Sequence, residues 1–328
     1  MIGPVAESHE RPSVRITTGS RLHFGLFDVK APFGGLGLMV DRPRTTVVID
    51  AATAFEIHPC QVDRVTEIAA RIARRLAPDL QTSGLPRCKV SIESAADSHC
   101  GLGSGTQLAL ASAQAMNEFF RIDLPRRELV QEIASRGRRS SIGSIGFFEG
   151  GLIAENGREH SYEDDSAWIR CVLPNYWRVV LASPRADAAG VSGEAEGVAF
   201  AGLAPASDEH RAELVRLSDE ILRLGEAADF QGLSQFIATF NVLSGQLFAT
   251  HQGGCFNGPA VQALVARIKS SGIAGVGQSS WGPTVFALCE NDDCASRLCD
   301  SLEGFNRRVV KPLASGYSLA RSPSTSCK

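Results

Sequence analysis

Ser98-His99-Cys100-Gly101-Leu102-Gly103-Ser104-Gly105-Thr106-Gln107 is the stretch on which the reading of the fold turns. It lies between a strand-like run, Cys88-Lys89-Val90-Ser91-Ile92, and a segment from Gln107 to Phe120 that is rich in Ala and Leu and free of Gly and Pro. The glycines therefore open a helix. The first backbone N–H groups of a helix have no partner within it, and the helix dipole adds about half a positive charge at that end. Together they make an anion site. Glycine lets backbone approach a ligand closely, and Ser104 and Thr106 add hydroxyls. An ordinary helix-capping turn would use the same residues, so spacing alone leaves phosphate cradle and capping turn both open. No Lys follows the last glycine, which excludes a Walker A loop. The Gly-x-Gly-x-x-Gly spacing of a dinucleotide fingerprint is also absent.

Upstream, Val14 to Thr18 reads as a first strand running into Gly19-Ser20-Arg21-Leu22-His23-Phe24-Gly25-Leu26-Phe27-Asp28. Alternation along a strand puts Arg21 and His23 on one face. They are either a buried, ion-paired arginine beside a structural histidine or the wall of a substrate site. Leu38 to Val40 and Thr45 to Ala51 read as two further strands. Val62, Val65, Ile68, Ala69, Ile72 and Leu76 recur at helical spacing. Downstream, a helix from Leu124 to about Ser135 leads into Arg136-Gly137-Arg138-Arg139-Ser140-Ser141-Ile142-Gly143. The planar fork of arginine suits phosphate and carboxylate. A solvated basic loop is the other reading of this cluster. Gly150-Gly151 and the strand after it close the first half.

In the second half, Trp177 to Leu181 reads as a strand, and Pro184 to Gly197 as a loop suited to a lid. Helical patterns follow at Asp208 to Leu224, Phe230 to Phe248 and Val261 to Ser270. A second glycine-rich loop, Gly275 to Pro283, precedes a strand from Thr284 to Leu288, a helix from Asp293 to Glu303 and an edge strand from Arg307 to Val310.

A chain of 328 residues is divided most simply into two domains, 14–178 and 179–316, with tails at 1–13 and 317–328. The 33 basic residues against 36 acidic ones argue against nucleic acid or an anionic membrane as partner, so any anion site is local. No apolar run reaches the ~20 residues that span a bilayer, and the first 13 residues lack the apolar core of a signal peptide. Nine scattered cysteines without a Cys-x-x-Cys pair argue against zinc and fit a cytoplasmic protein.

Taken in order, these segments resemble a known family. Gly101-Leu102-Gly103-Ser104, between strand and helix, resembles the second motif of the GHMP kinase superfamily, and Gly275 to Gly282 stands where that superfamily has its third. The wording is closer to one branch. Arg21-Leu22-His23-Phe24-Gly25-Leu26, Gly101 to Gln107, Gly137-Arg138-Arg139-Ser140 and Gly277-Gln278-Ser279-Ser280-Trp281-Gly282-Pro283 resemble the β-ribofuranosylaminobenzene 5′-phosphate synthase family, over about residues 14 to 312. The resemblance implies an α+β fold of two domains, the first related to a ribosomal-protein fold and the second ferredoxin-like, and a homodimer. It implies that phosphoribosyl pyrophosphate reacts with 4-aminobenzoate or 4-hydroxybenzoate, with Mg2+, to give a β-C-riboside, pyrophosphate and CO2. That is an early step toward tetrahydromethanopterin.

On this resemblance, Gly101, Gly103, Ser104, Gly105, Thr106 and Gln107 would hold the leaving pyrophosphate. Arg21, or the cluster Arg136, Arg138, Arg139 with Ser140, would place the carboxylate. His23 or Asp28 would position or deprotonate the ring, and Gln278, Ser279 and Ser280 would complete the substrate site. Three departures from the kinases of the superfamily stand out. Gly143 occupies the position of their catalytic aspartate, Gly105 replaces the second serine of their phosphate loop, and no proline lies near Ser98. The alternatives are an ATP-dependent small-molecule kinase with Asp28 or Glu149 as base, and a non-catalytic ligand sensor.

Overall fold

A computed structural model describes residues 12–59, 62–76, 84–137, 139–156, 167–185 and 200–322. They form two antiparallel-rich sheets and the helices that cover them. In the first sheet, β1 (Ser13–Leu26) and β2 (Gly35–Asp50) are paired antiparallel over most of their length. β3 (Glu56–His58) runs parallel to β4 (Lys89–Ser94), which pairs with the second half of β2. β5 (Leu152–Glu155) pairs with the first part of β2 and with β6 (Trp168–Cys171).

Side-chain parity explains how β1 serves both halves of the molecule. Val14 and Ile16 lie in the core under the N-terminal helices, whereas Leu22 and Phe24 lie in a second core shared with the C-terminal half. Side chains alternate along a strand, so residues of equal parity reach opposite faces only across an inserted residue. The register of β1 on β2 shifts between Thr18 and Ser20. Gly19 sits at that bulge, where any Cβ would run into the Val40 carbonyl oxygen. The bulge leaves Arg21 and His23 on the helix side, beneath the loop that opens α2 (Ser104–Phe120).

α1 (Val62–Leu76) buries Val65, Ile68, Ala69 and Ile72, the stripe expected from its spacing. α2 is buried along most of its length, and its small side chains let it lie close against β1 and β2. After α3 (Arg126–Glu128) the chain forms a π-helical turn, Leu129–Ile133, where a continuous α-helix is expected from the sequence. α4 (Ile142–Glu149), where no element is expected from the sequence, starts at the end of the arginine-rich segment and contains Gly143 and Gly146. Glycine disfavours helix, but a Cβ at Gly146 would come 2.5 Å from Met39, so close packing on β2 requires it.

The second sheet uses β7 (Arg178–Ser183), β8 (Val276–Gln278), β9 (Val285–Cys289) and β10 (Asn306–Val310), in the order β10-β7-β9-β8. Val179 and Leu181 of β7 face the core shared with α5 (Asp208–Glu226) and α6 (Phe230–Gln246). Val180 and Ala182 face a third core. After the short α7 (Ala249–Gln252), α8 (Gly258–Ser270) and α9 (Asp292–Ser301) close that third core. The strand order is the expected ferredoxin-like one, with α8 and α9 as its two helices and α5 to α7 added between β7 and α8.

The expected tail from residue 317 needs correction. Tyr317 stacks on Phe147 with ring centroids 4.7 Å apart. β11 (Ser318–Ser322) then pairs with Ser13 to Thr17 of β1, returning the chain to the first sheet. All five of its residues are exposed, so no apolar pattern marked it as a strand. The expected N-terminal tail (1–11), the far C-terminus (323–328) and most of the expected lid (186–197) lie outside the described residues. No helix among the described residues is long and apolar enough to cross a membrane.

Candidate active site

The glycine loop departs from ordinary backbone at three points: His99 has φ +62°, Gly101 φ +87° and Gly103 φ +69°. Gly103 is the N-cap residue of α2, and no side chain caps this helix. The loop is pinned from below and from the C-terminal half. Arg21 N–H donates to the Leu102 carbonyl at 3.0 Å. Ser279 Oγ donates to the Gly101 carbonyl at 2.8 Å and accepts from His23 N–H at 3.1 Å. Ser280 N–H donates to the His23 carbonyl at 3.0 Å. The two glycine-rich loops, nearly 180 residues apart in sequence, thus meet over β1.

A cavity of about 720 Å³ opens where they meet. Arg21, Arg64, Arg136 and Arg139 line it, as do His23 and Ser140. Four guanidinium groups around one cavity, in a chain of net charge −3, mark a local anion site. Gly101, Gly103, Ser104, Gly105, Thr106, Gln278 and Ser280 also face it, as the sequence leads one to expect. Arg138 lies outside the described residues.

Arg64 is an addition. A Cβ on Gly105 would stand 2.7 Å from its Nη1, so the guanidinium lies directly against the loop. Among the described residues it makes no hydrogen bond or ion pair. Only its place in the first turn of α1, on the polar face, marks it in the sequence.

Three expected site residues have other work. Gln107 is fully buried; its amide oxygen accepts from Thr18 Oγ1 at 2.9 Å and its amide nitrogen donates to the Gly143 carbonyl at 2.8 Å. It ties β1, α2 and α4 together and does not line the cavity. Ser279, also fully buried, is the latch between the loops and holds no open face to a ligand. Asp28 accepts from the backbone N–H groups of Lys30 and Ala206 and pairs with Arg211 at 3.5 Å, away from the cavity lining. Its carboxylate folds a loop. Glu149, a candidate base on the kinase reading, pairs with Arg126 at 2.5 Å and is likewise not in the cavity wall.

A buried carboxyl, Glu155 at the end of β5, stands behind the cavity wall. It accepts from Ser141 N–H at 2.7 Å. Burial, the dominant cause, pushes its pKa up to about 7, against the opposing bonds from Ser141 N–H, the Ser140 and Ser141 hydroxyls and Ile142 N–H. Ser140 Oγ in turn lies 3.2 Å from His23 Nε2. With Glu155 ionised and Ser140 turned toward it, Ser140 accepts from His23 Nε2–H, which leaves Nδ1 as the basic nitrogen. Burial, and next the charge of Arg21, holds His23 well below its ordinary 6.5, so it is neutral at pH 7.

These two groups pull stability in opposite directions with pH. The folded chain holds the Glu155 proton more tightly than the unfolded chain, so this contribution is present at low pH and is lost as pH rises from about 4.5 to about 7. His23 takes its proton more readily when unfolded, so acidification below 6.5 costs stability. Glu155→Gln keeps an acceptor oxygen and removes the first effect. Relative to wild type, the variant is expected to gain roughly 3 kcal/mol between pH 5 and pH 8, at 1.36 kcal/mol per pKa unit. Urea midpoints at the two pH values measure this. An equal offset at both would show that Glu155 ionises as an ordinary carboxylate.

Asp63 is the one carboxylate lining the cavity among the described residues. No group of three or more metal-ligating side chains occurs among them. These residues therefore fit Mg2+ in the form in which a ligand's phosphates supply most of its shell and one carboxylate assists.

The GHMP kinases N terminal domain model matches residues 64–148, and the GHMP kinases C terminal model matches residues 246–307. The chain is 27% identical to the beta-ribofuranosylphenol 5′-phosphate synthase of Methanothermobacter thermautotrophicus, over 84% of this chain and 88% of that one. It is 28% identical to the protein of that name from Archaeoglobus fulgidus, over 85% and 88%. The fold superimposes on mevalonate pyrophosphate decarboxylase from Streptococcus pyogenes with a TM-score of 0.69 at 16% identity, covering 94% of this chain and 98% of that one.

Proposed function

This chain belongs to the GHMP kinase superfamily, and from that premise we propose that it is a ribosyltransferase that joins phosphoribosyl pyrophosphate to 4-hydroxybenzoate with loss of pyrophosphate and CO2. The observation that carries the reading is what stands at Gly143. A side chain there would meet Thr106 at 3.3 Å and Arg21 Cδ at 3.5 Å, so the stem of an arginine borders the place from which related kinases present a carboxylate. Phosphoryl transfer to an alcohol uses a group that takes or orients the hydroxyl proton. Ribosyl transfer makes its own electrophile when pyrophosphate departs, and what it needs is anion stabilisation.

The N–H groups of Gly103, Ser104 and Gly105, with Arg64, take the pyrophosphate as its bond to the ribose carbon breaks. Asp63 would help to hold Mg2+, which would supply neutralisation of part of that charge. His23 Nδ1 removes the phenolic proton, which raises electron density at the ring carbon bearing the carboxylate. That carbon bonds to the ribose carbon. The carboxylate leaves as CO2, its bonding pair restores the aromatic ring, and the proton returns from His23. The phenol in the name of the curated relatives favours 4-hydroxybenzoate over 4-aminobenzoate. Product analysis tests the reading: one CO2 and one pyrophosphate should form per acid consumed. Pyrophosphate release with the carboxylate retained on the ring would refute it.

A further inference from the structure

One end of the cavity is unlike the rest. Phe200, Phe248 and Trp281 come from three separate segments and meet there. Phe200 and Trp281 stack with ring centroids 5.2 Å apart and planes at 22°. Phe248 meets Trp281 edge-on at 5.1 Å and Phe200 at 5.6 Å. The cluster rests on Leu26, Val29 and Leu203, a small core separate from the three large ones. The guanidinium carbon of Arg139 stands 4.5 Å from the centroid of Phe200.

A phosphate gains nothing from such a wall, since burying its charge against hydrocarbon costs free energy. A flat ring gains from it, because aromatic pairs contribute beyond the area they bury. A guanidinium held over a ring still presents N–H donors at its rim, so a carboxylate can take two of them in plane. The aromatic wall and the glycine loop open on one cavity whose volume is within the range of small-molecule sites.

We propose that Phe200, Phe248 and Trp281, with Arg139, form the acceptor subsite: the aromatic wall takes the ring of a planar aromatic monocarboxylate and Arg139 takes its carboxylate. This rests on the ribosyltransferase reading for its ligand class, and it assigns to the aromatic residues a role that neither the glycine motif nor the arginine cluster supplies. Arg139 then stands at the group that leaves. By holding the carboxylate in the plane of the guanidinium, it turns the ring edge carrying that group toward the ribose carbon.

Tryptophan fluorescence and titration calorimetry on the full chain test the subsite, with 4-hydroxybenzoate, inorganic pyrophosphate and ADP as separate probes. The chain has three tryptophans, so Trp281→Phe identifies the reporter. 4-Hydroxybenzoate should quench wild type and leave the emission of Trp281→Phe unchanged. Phe200→Ala and Arg139→Gln should each weaken 4-hydroxybenzoate binding about tenfold. Both should bind pyrophosphate within about twofold of wild type. Phenol, which lacks the carboxylate, should be insensitive to Arg139→Gln.

Wild-type affinity for 4-hydroxybenzoate in both variants would overturn the subsite, as would an equal loss of pyrophosphate binding. Quenching by ADP and not by the acid would assign the wall to a purine and overturn it too. The two readings fail separately. CO2 release that is unaffected by Phe200→Ala and Arg139→Gln removes the subsite and leaves the transferase. Acid binding at Trp281 without CO2 release leaves the subsite and removes the transferase.

Discussion

Replacing Arg21 with alanine is expected to lower kcat/KM by about two to three orders of magnitude while leaving the fold intact. Arg21 lies on the helix-side face of β1 under the glycine loop, with its Nε 3.2 Å from where a Cβ on Gly103 would stand. Its side chain also borders Gly143, so it reaches both the loop and the start of α4. Each charge-assisted hydrogen bond lost to a bound anion costs roughly 1.5–3 kcal/mol, and a guanidinium fork makes two. Arg21→Lys keeps the charge without the fork and should recover only part of the loss. The backbone bond from residue 21 to Leu102 survives in both variants, so thermal unfolding should move by no more than a few degrees. Steady-state kinetics with either substrate varied decide the matter. Wild-type kcat/KM in Arg21→Ala would place the arginine in the scaffold and outside the chemistry.

Gly282→Ala is expected to abolish turnover through packing alone. A Cβ at Gly282 would run into the backbone of Cys100 and Gly101, which no rotamer change can relieve. The loops must separate, and with them go the bonds from Ser279 to Gly101 and from Ser280 to His23. Native packing tolerates such overlap poorly, at a cost of about 1–3 kcal/mol for even small insertions. A loss of activity of at least about a hundredfold should accompany a lowered melting temperature. Binding of inorganic pyrophosphate should weaken in parallel, because the displaced loop is the one that holds it. Gly84→Ala is the control, since nothing lies within 4 Å of a Cβ there. If Gly282→Ala retains full activity, the contact between the two loops does not shape the site.

What could be read from the sequence, and what could not, follows from how far apart the cooperating residues lie. The glycine loop, its helix and the stripe of α1 are local patterns, and each is present where periodicity places it. The bulge at Gly19 is not visible locally, because it is defined by Val40 on the neighbouring strand. Without it Arg21 and His23 have a common face but no known direction. Gln107 and Ser279 sit in motifs that bind ligands elsewhere, yet here their polar atoms are bonded to the protein itself. Nothing in a sequence distinguishes a hydroxyl turned inward from one turned outward. Arg64, Glu155 and the wall of Phe200, Phe248 and Trp281 were hidden for the opposite reason. Each is unremarkable in its own segment: Arg64 and the aromatic wall gain a cavity to face only where distant segments meet, and Glu155 gains its partner Ser141 only through the fold. The C-terminal strand β11 was missed because an edge strand exposed on all its residues carries no apolar alternation.

A ribosyltransferase of the proposed kind breaks a bond to pyrophosphate and a bond to CO2 and does not move a phosphoryl group. One measurement addresses it directly. The protein is incubated with phosphoribosyl pyrophosphate, Mg2+ and carboxyl-labelled 4-hydroxybenzoate, and in parallel with ATP, Mg2+ and a panel of small alcohols. A ribosyltransferase should give labelled CO2 in the first reaction, equal in amount to pyrophosphate, and ADP no higher than background in the second. Robust ADP formation with one of the alcohols, and no labelled CO2, would contradict it.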